Sequence, residues 1–365
     1  MIWLWAGFLA LIFFLLALDL GVFNRGAHAV SARSALKWVC AFVTLGLLFN
    51  VGVYFLYKHD VEGIGTNFAR LMMRAGEPGV AFPSFEKIGW TAAMQFLAGW
   101  LTEYSLSVDN LFVIALIFAY FKVPAIYQHR VLFWGILGAL IARGVMIFAG
   151  TALVSRFEWL LYILGVFLIV TGVKMALTDE NEERDFEKML VVRLARRVFP
   201  ISKDFEGQKF WTRLPETGAL AATPLFLVLL IVETTDVIFA VDSIPAIIGI
   251  TRDPFIVFTS NVFAILGLRS LYFALASLMD KFHYLKFSLA AILAFVGVKM
   301  VLEGADELRP LCERFLGGVP GWLQWLPKGA VHFSTPVSLG FIVLALVLGV
   351  VASLVYARSH HEPKA

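Results

Sequence analysis

Cysteine is scarce in this 365-residue chain. Cys40 sits in a long apolar run and Cys312 in a predicted loop, so neither a disulfide framework nor a thiolate metal cage is available. Charge is thin as well. Charged residues make up 16% against 60% hydrophobic, and a mean hydropathy of +0.82 excludes a soluble globular domain. The formal net charge is only +3, and basic residues are scattered or offset by acids, which argues against nucleic acid as a partner. His59, His129, His283, His332, His360 and His361 fall in loops or the tail and His28 lies near Asp19, so no ligand-spaced histidine cluster exists. The Gly-x-Gly-Asp pattern of membrane aspartyl proteases is missing too. Paired aspartates working as general acid and base are therefore disfavoured, and no enzymatic activity is expected.

Long apolar runs are abundant. A spanning helix needs about 20 mostly apolar residues, and such runs lie near 1–18, 38–57, 90–121, 131–154, 157–177, 221–247, 255–279, 285–302 and 337–357. Lipid offers no water to stray backbone groups, so these read as helices. A barrel would show alternation in segments of about ten residues. The expected fold is an all-α polytopic membrane protein of about nine transmembrane helices. The first run has no basic residue ahead of it and no small-residue cleavage site after it, so it is expected to remain as a span. Lys and Arg number seventeen in the loops of one side and nine in those of the other, which places the N-terminus outside and the C-terminus in the cytoplasm of a cytoplasmic-membrane protein.

Internal repetition organises the middle of the chain. "SRFEWLLYILGVFLIVTGVKMAL" (155–177) aligns without a gap on "DKFHYLKFSLAAILAFVGVKMVL" (280–302). Upstream, Glu103-x5-Asp109 lies over Asp236-x5-Asp242, and each unit carries one arginine within a span, Arg143 and Arg269. Each repeat holds three spans. An odd number turns the second upside down relative to the first, as in many secondary transporters with midplane binding sites. The chain thus divides into an N-terminal two-helix segment (1–57), a first three-helix repeat (90–177), a cytoplasmic loop (178–220), a second repeat (221–302) and a C-terminal span (337–357). In the loop, "TDENEERDFEKMLVVRLARRVF" (178–199) reads as a solvated amphipathic connector whose Arg193, Arg196 and Arg197 side suits anionic lipid.

The acids within the spans are the informative residues. An ionised side chain at the bilayer centre costs about 2.5–3.5 kcal/mol on insertion scales, and Glu103, Asp109, Glu233, Asp236 and Asp242 all fall there. Arg143 and Arg269 can neutralise two of the five, leaving the rest to protons, water or a cation. Thr102, Ser105, Ser107, Asn110, Thr234, Thr235 and Ser243 surround them and offer oxygen, with no His or Cys in either motif. That donor set suits a hard divalent cation. On a straight helix, positions six apart point about 240° apart, so Glu103 and Asp109 serve different neighbours unless the helix unwinds, whereas Glu233 and Asp236 share a face. Pro245 makes a break in its span plausible, although a plain kink fits as well. Asp19 reads as either a solvated boundary residue or a mouth residue. Asn261 is either an added oxygen ligand or a helix-to-helix hydrogen bond.

The segments "LDLGVF" (18–23), "TEYSLSVDNLFV" (102–113) and "VETTDVIFAVDSIPAI" (232–247) resemble the TerC family of integral membrane proteins, in its Alx-like branch. The resemblance implies metal-ion homeostasis, chiefly manganese efflux, with an older association to tellurite resistance. It carries the family's intramembrane acids onto Glu103, Asp109, Glu233, Asp236 and Asp242. The expected partners are then a transported divalent ion, Mn2+ or another, and the bilayer. A scaffold that recruits protein partners through the cytoplasmic loop is the alternative.

Overall fold

A chain with this much apolar surface satisfies its backbone by helix formation, and the computed structural model is helical almost throughout. It describes residues 1–21, 32–74, 82–157, 159–177, 189–202, 204–214, 218–275, 284–316 and 335–359. Twelve α-helices occur among them: α1 (Ile2–Gly21), α2 (Ala32–Lys58), α3 (Ile64–Arg74), α4 (Phe85–Tyr120), α5 (Ala125–Arg156), α6 (Leu160–Leu177), α7 (Leu190–Val198), α8 (Pro224–Ile250), α9 (Pro254–Leu266), α10 (Leu268–Leu275), α11 (Leu285–Leu316) and α12 (Thr335–Ser359). A short antiparallel pair, β1 (Trp211–Arg213) and β2 (Leu220–Ala222), lies between α7 and α8.

Among the described residues six segments, against the nine expected, are long and apolar enough to cross a membrane: Ser34–Lys58, Ala125–Arg156, Leu160–Leu177, Pro224–Ile250, Pro254–Phe273 and Thr335–Ser353. The apolar part of α1, Ile2–Ala17, is shorter. At 36 residues α4 has the length to span, with Glu86, Lys87, Glu103 and Asp109 along it. Two of the predicted boundaries shift. Helix α11 runs on to Leu316, so Cys312 belongs to a helix, and α3 occupies part of the loop expected over 58–88.

Local chemistry fixes the helix ends. Ser84 caps α4 by accepting from the Lys87 amide at 3.3 Å. Asp253 caps α9, its carboxylate accepting from the Phe255 and Ile256 amides at 2.9 and 3.1 Å, with Pro254 at the first helical position. Burial pushes the Asp253 carboxyl up, and the two amides and the Tyr57 hydroxyl pull against that shift. The break expected at Pro245 is absent: α8 is helical through it. The interruption falls instead at Gly267, between α9 and α10 in the span that holds Arg269.

Helices α4, α5, α8 and α9 form the centre, and every residue of α9 from Phe255 to Leu266 is buried. Helices α5 and α8 run parallel: a methyl group at Gly135 would sit 3.3 Å from Val232, and one at Gly150 would sit 3.4 Å from Ile248. Helix α6 packs antiparallel on α11 with backbones in contact. A methyl group at Gly165 would lie 2.8 Å from the Gly297 carbonyl oxygen, and one at Gly172 would lie 2.7 Å from that of Ala290. Small residues permit such approach in lipid, where dispersion and not hydrophobicity holds helices together. In the alignment of 155–177 on 280–302, Gly165 corresponds to Ala290 and Gly172 to Gly297, so the two contacts exchange with each other.

Candidate functional site

Glu103 sits mid-way along α4, Arg143 on α5 and Asp236 on α8, and the packing of these three helices brings their side chains together. The guanidinium is 1% exposed. Its Nε donates to Asp236 Oδ2 at 3.0 Å and its Nη2 to Asp236 Oδ1 at 2.9 Å, a two-pronged pairing. The Nη1 end forms an ion pair with Glu103, which is fully buried. Asn110, with its amide oriented to satisfy both ends, accepts from Arg143 Nη2 at 3.2 Å and donates to the Leu106 carbonyl at 3.2 Å. One planar cation therefore faces two carboxylates and an amide, a geometry that suits arginine and not lysine.

Glu233 lies three residues before Asp236 on the same face of α8, as the spacing predicts. It fits against Gly138 of α5, where any Cβ would collide with the carboxylate. If Glu103, Glu233 and Asp236 are all ionised beside Arg143, two negative charges remain uncompensated.

Asp242, counted with the metal-site acids from the sequence, points away from Arg143 and toward α6. Thr171 Oγ1 of α6 lies 3.4 Å from its Oδ1, and Lys174, one turn along α6, is within electrostatic reach. A surface groove of about 460 Å3 runs past Lys174, between Ile169, Val170, Val173 and Leu177. Ser243 is buried beside Asp242 with no hydrogen-bond partner among the described residues. The same holds for both amide atoms of the fully buried Asn261, so the helix-to-helix bond, one of the two roles read for Asn261, is not formed among them. The hydroxyls of Thr102, Ser105 and Ser107 are likewise buried and unpartnered there. Thr234 and Thr235 instead donate to the Leu230 and Ile231 carbonyls of their own helix, at 2.7 Å each.

The side chains of Asp19, Asp109 and Arg269 lie outside the described residues. Among the described residues no group of three or more His, Cys, Asp or Glu is arranged to hold a metal ion. The acids that do converge, Glu103 and Asp236, meet on an arginine. Two participants escaped the sequence reading. Lys174 was visible in the repeated Gly-Val-Lys-Met endings, whose other copy places Lys299 in α11, buried where Lys174 is exposed. Nothing in the sequence marked Gly138 as the seat of Glu233.

Residues 88–361 match the family described as integral membrane protein TerC family. An uncharacterized membrane protein of Myxococcus xanthus is 48% identical over 307 residues, 84% of this chain and 86% of its own length. The protein named "Putative membrane-bound redox modulator Alx" in Escherichia coli K12 is 47% identical over 300 residues, 82% of this chain and 85% of its own. A membrane protein of Rickettsia bellii is 37% identical over 299 residues, 82% of this chain and 88% of its own. No solved structure matches.

Proposed function

The chain belongs to the TerC family of integral membrane proteins, and from that premise we propose that it moves a divalent metal cation, manganese foremost, out of the cytoplasm through an intramembrane carboxylate site. The observation that carries this reading is the meeting of Glu103 and Asp236, matched positions of two sequence repeats, on the buried cation Arg143. Glu233 on the same face adds the charge that makes the cluster a match for one divalent ion. Asn110 supplies a neutral oxygen and Asp109 is assigned to the same set. All of these are oxygen donors of the kind that hard divalent cations take.

In this mechanism Arg143 is a tethered stand-in for the substrate. It holds Glu103 and Asp236 when no ion is bound, so the empty carrier avoids a bare buried carboxylate pair. The arriving ion displaces the guanidinium from at least one carboxylate. Carrying a doubly charged ion out against an inside-negative potential costs about 4.6 kcal/mol per 100 mV, which inward proton movement onto the vacated carboxylates can supply. Arg269, Asp242, Ser243 and Asn261 are assigned to coupling along the pathway, and Asp19 to its cytoplasmic mouth. The two three-helix units are assigned opposite orientations, a reading supported by the exchange of the Gly165 and Gly172 contacts across α6 and α11. The Lys and Arg count supports N-terminus outside and C-terminus inside. Redox modulation, the role in the name of the Escherichia coli relative, is not carried over, because the chain has two thiols, Cys40 and Cys312, and no Cys-x-x-Cys pair.

The test is metal flux in proteoliposomes loaded with a metal-sensitive dye, comparing manganese, calcium, magnesium and zinc at matched concentrations. Wild-type protein should carry manganese, and Glu103→Gln and Asp236→Asn should each reduce flux at least tenfold. Equal flux in the variants, or no flux of any of the four ions, sinks the proposal.

A further inference from the structure

We infer that α7 is an interfacial helix that lies along the bilayer surface and holds anionic lipid headgroups with Arg193, Arg196 and Arg197. At 100° per residue eight of its nine positions fall into three sectors, with half-buried Val191 between the first two. Val192 and Ala195 occupy one and are buried, against the start of α8. Leu190, Leu194 and Val198, spaced four apart, occupy the second and are 79%, 56% and 59% exposed. The three arginines fill the third. A helix in water has no reason to present an uninterrupted stripe of leucine and valine alongside its charge. A helix in the headgroup layer does, with the stripe facing acyl chains and the guanidinium groups at the phosphates.

Position supports the same occupant. At the C-terminal end of α7, Phe199 packs on Trp211 and Phe226 with ring centroids 5.2 and 6.4 Å apart, and Trp211 sits 4.6 Å from Phe226. Phe226 is in the first turn of the apolar span Pro224–Ile250. Helix α7 is thereby anchored at the end of a membrane-spanning helix, at the depth where aromatic side chains collect. Its exposed stripe continues into partly exposed Trp211 and exposed Leu220 of the β pair. The charge is complementary to anionic lipid. A protein partner would have to cover the same stripe from within the headgroup layer. The inference is independent of what the protein transports.

The experiment uses full-length protein in vesicles of phosphatidylcholine with or without phosphatidylglycerol, in a Cys40→Ser, Cys312→Ser background. Nitroxide labels are placed singly at Leu194, Val198 and Arg196. Labels at Leu194 and Val198 should collide with oxygen and be shielded from a water-soluble nickel chelate, with the reverse at Arg196. Free access of the nickel chelate to all three places α7 in water, and shielding of Leu194 and Val198 from both reagents places a protein over the stripe. Either result overturns the inference. Changing the three arginines to glutamine should lower the preference for co-purified phosphatidylglycerol roughly fivefold per charge removed, and changing them to lysine should preserve it. An unchanged preference in the glutamine variant also overturns it.

Discussion

Substituting glutamine for Arg143 leaves Glu103 and Asp236 facing each other in a dry site without their shared cation. Removing one partner of a buried ion pair costs about 3–5 kcal/mol, because the remaining charge cannot recover its hydration. A chain of this length has an unfolding entropy of about 0.8 kcal/mol/K at the usual per-residue value, so Tm of the purified protein should fall by about 4–7 °C in metal-free buffer. Adding Glu103→Gln and Asp236→Asn should restore most of that loss, since a neutral set of similar shape bears no desolvation penalty. Manganese at about 100 times its Kd contributes about 2.7 kcal/mol to any state that binds it. In Arg143→Gln the ion meets no competing guanidinium, so its stabilising shift should exceed that of wild type. The assay is thermal unfolding in detergent, with and without metal, on wild type, Arg143→Gln and the triple variant. An Arg143→Gln variant that melts with wild type, or a triple variant that melts no higher than Arg143→Gln, refutes the shared-cation reasoning.

Gly138→Ala puts a methyl group where the Glu233 carboxylate now lies; it should cost about 1–3 kcal/mol of stability and depress manganese flux, read by thermal unfolding and dye-loaded proteoliposomes. Gly165→Leu should separate α6 from α11 and lower Tm, whereas Gly7→Leu, with open space around it, should leave Tm within error of wild type. Asp253→Ala removes the α9 cap and should cost about 0.5–2 kcal/mol. Because burial raises the Asp253 carboxyl, its stabilising contribution is full below the unfolded titration and is lost as pH rises through the folded one. The wild-type minus Asp253→Asn difference in Tm should therefore fall with rising pH, and a flat difference counts against the assignment.

The broad architecture was legible because lipid leaves so few options. Runs such as 131–154 and 221–247 can only be helices, and they are α5 and α8. The shared face of Glu233 and Asp236 followed from helical rotation alone, whereas Asp242 was grouped with them and lies apart, beside Thr171. The pairing of Glu103 with Asp236 did not follow, because it depends on which helices pack and at what height, and no local pattern encodes that. Pro245 misled for a related reason: losing one backbone donor is tolerable in a helix packed on several sides, and the interruption went to Gly267. Lys174 was overlooked because a lysine near the end of an apolar run reads as a snorkelling boundary residue, until Thr171 and Asp242 are seen beside it.

Helix α9 touches protein on every side. A helix at the lipid boundary has one face on which almost any apolar residue serves, so tolerated substitutions fall in a stripe of period 3.6. No such stripe is available between Phe255 and Leu266, where each side chain has a neighbour whose shape it must match. A saturation scan there should return intolerance at every position, while α6, with lipid along one flank, should show the alternation.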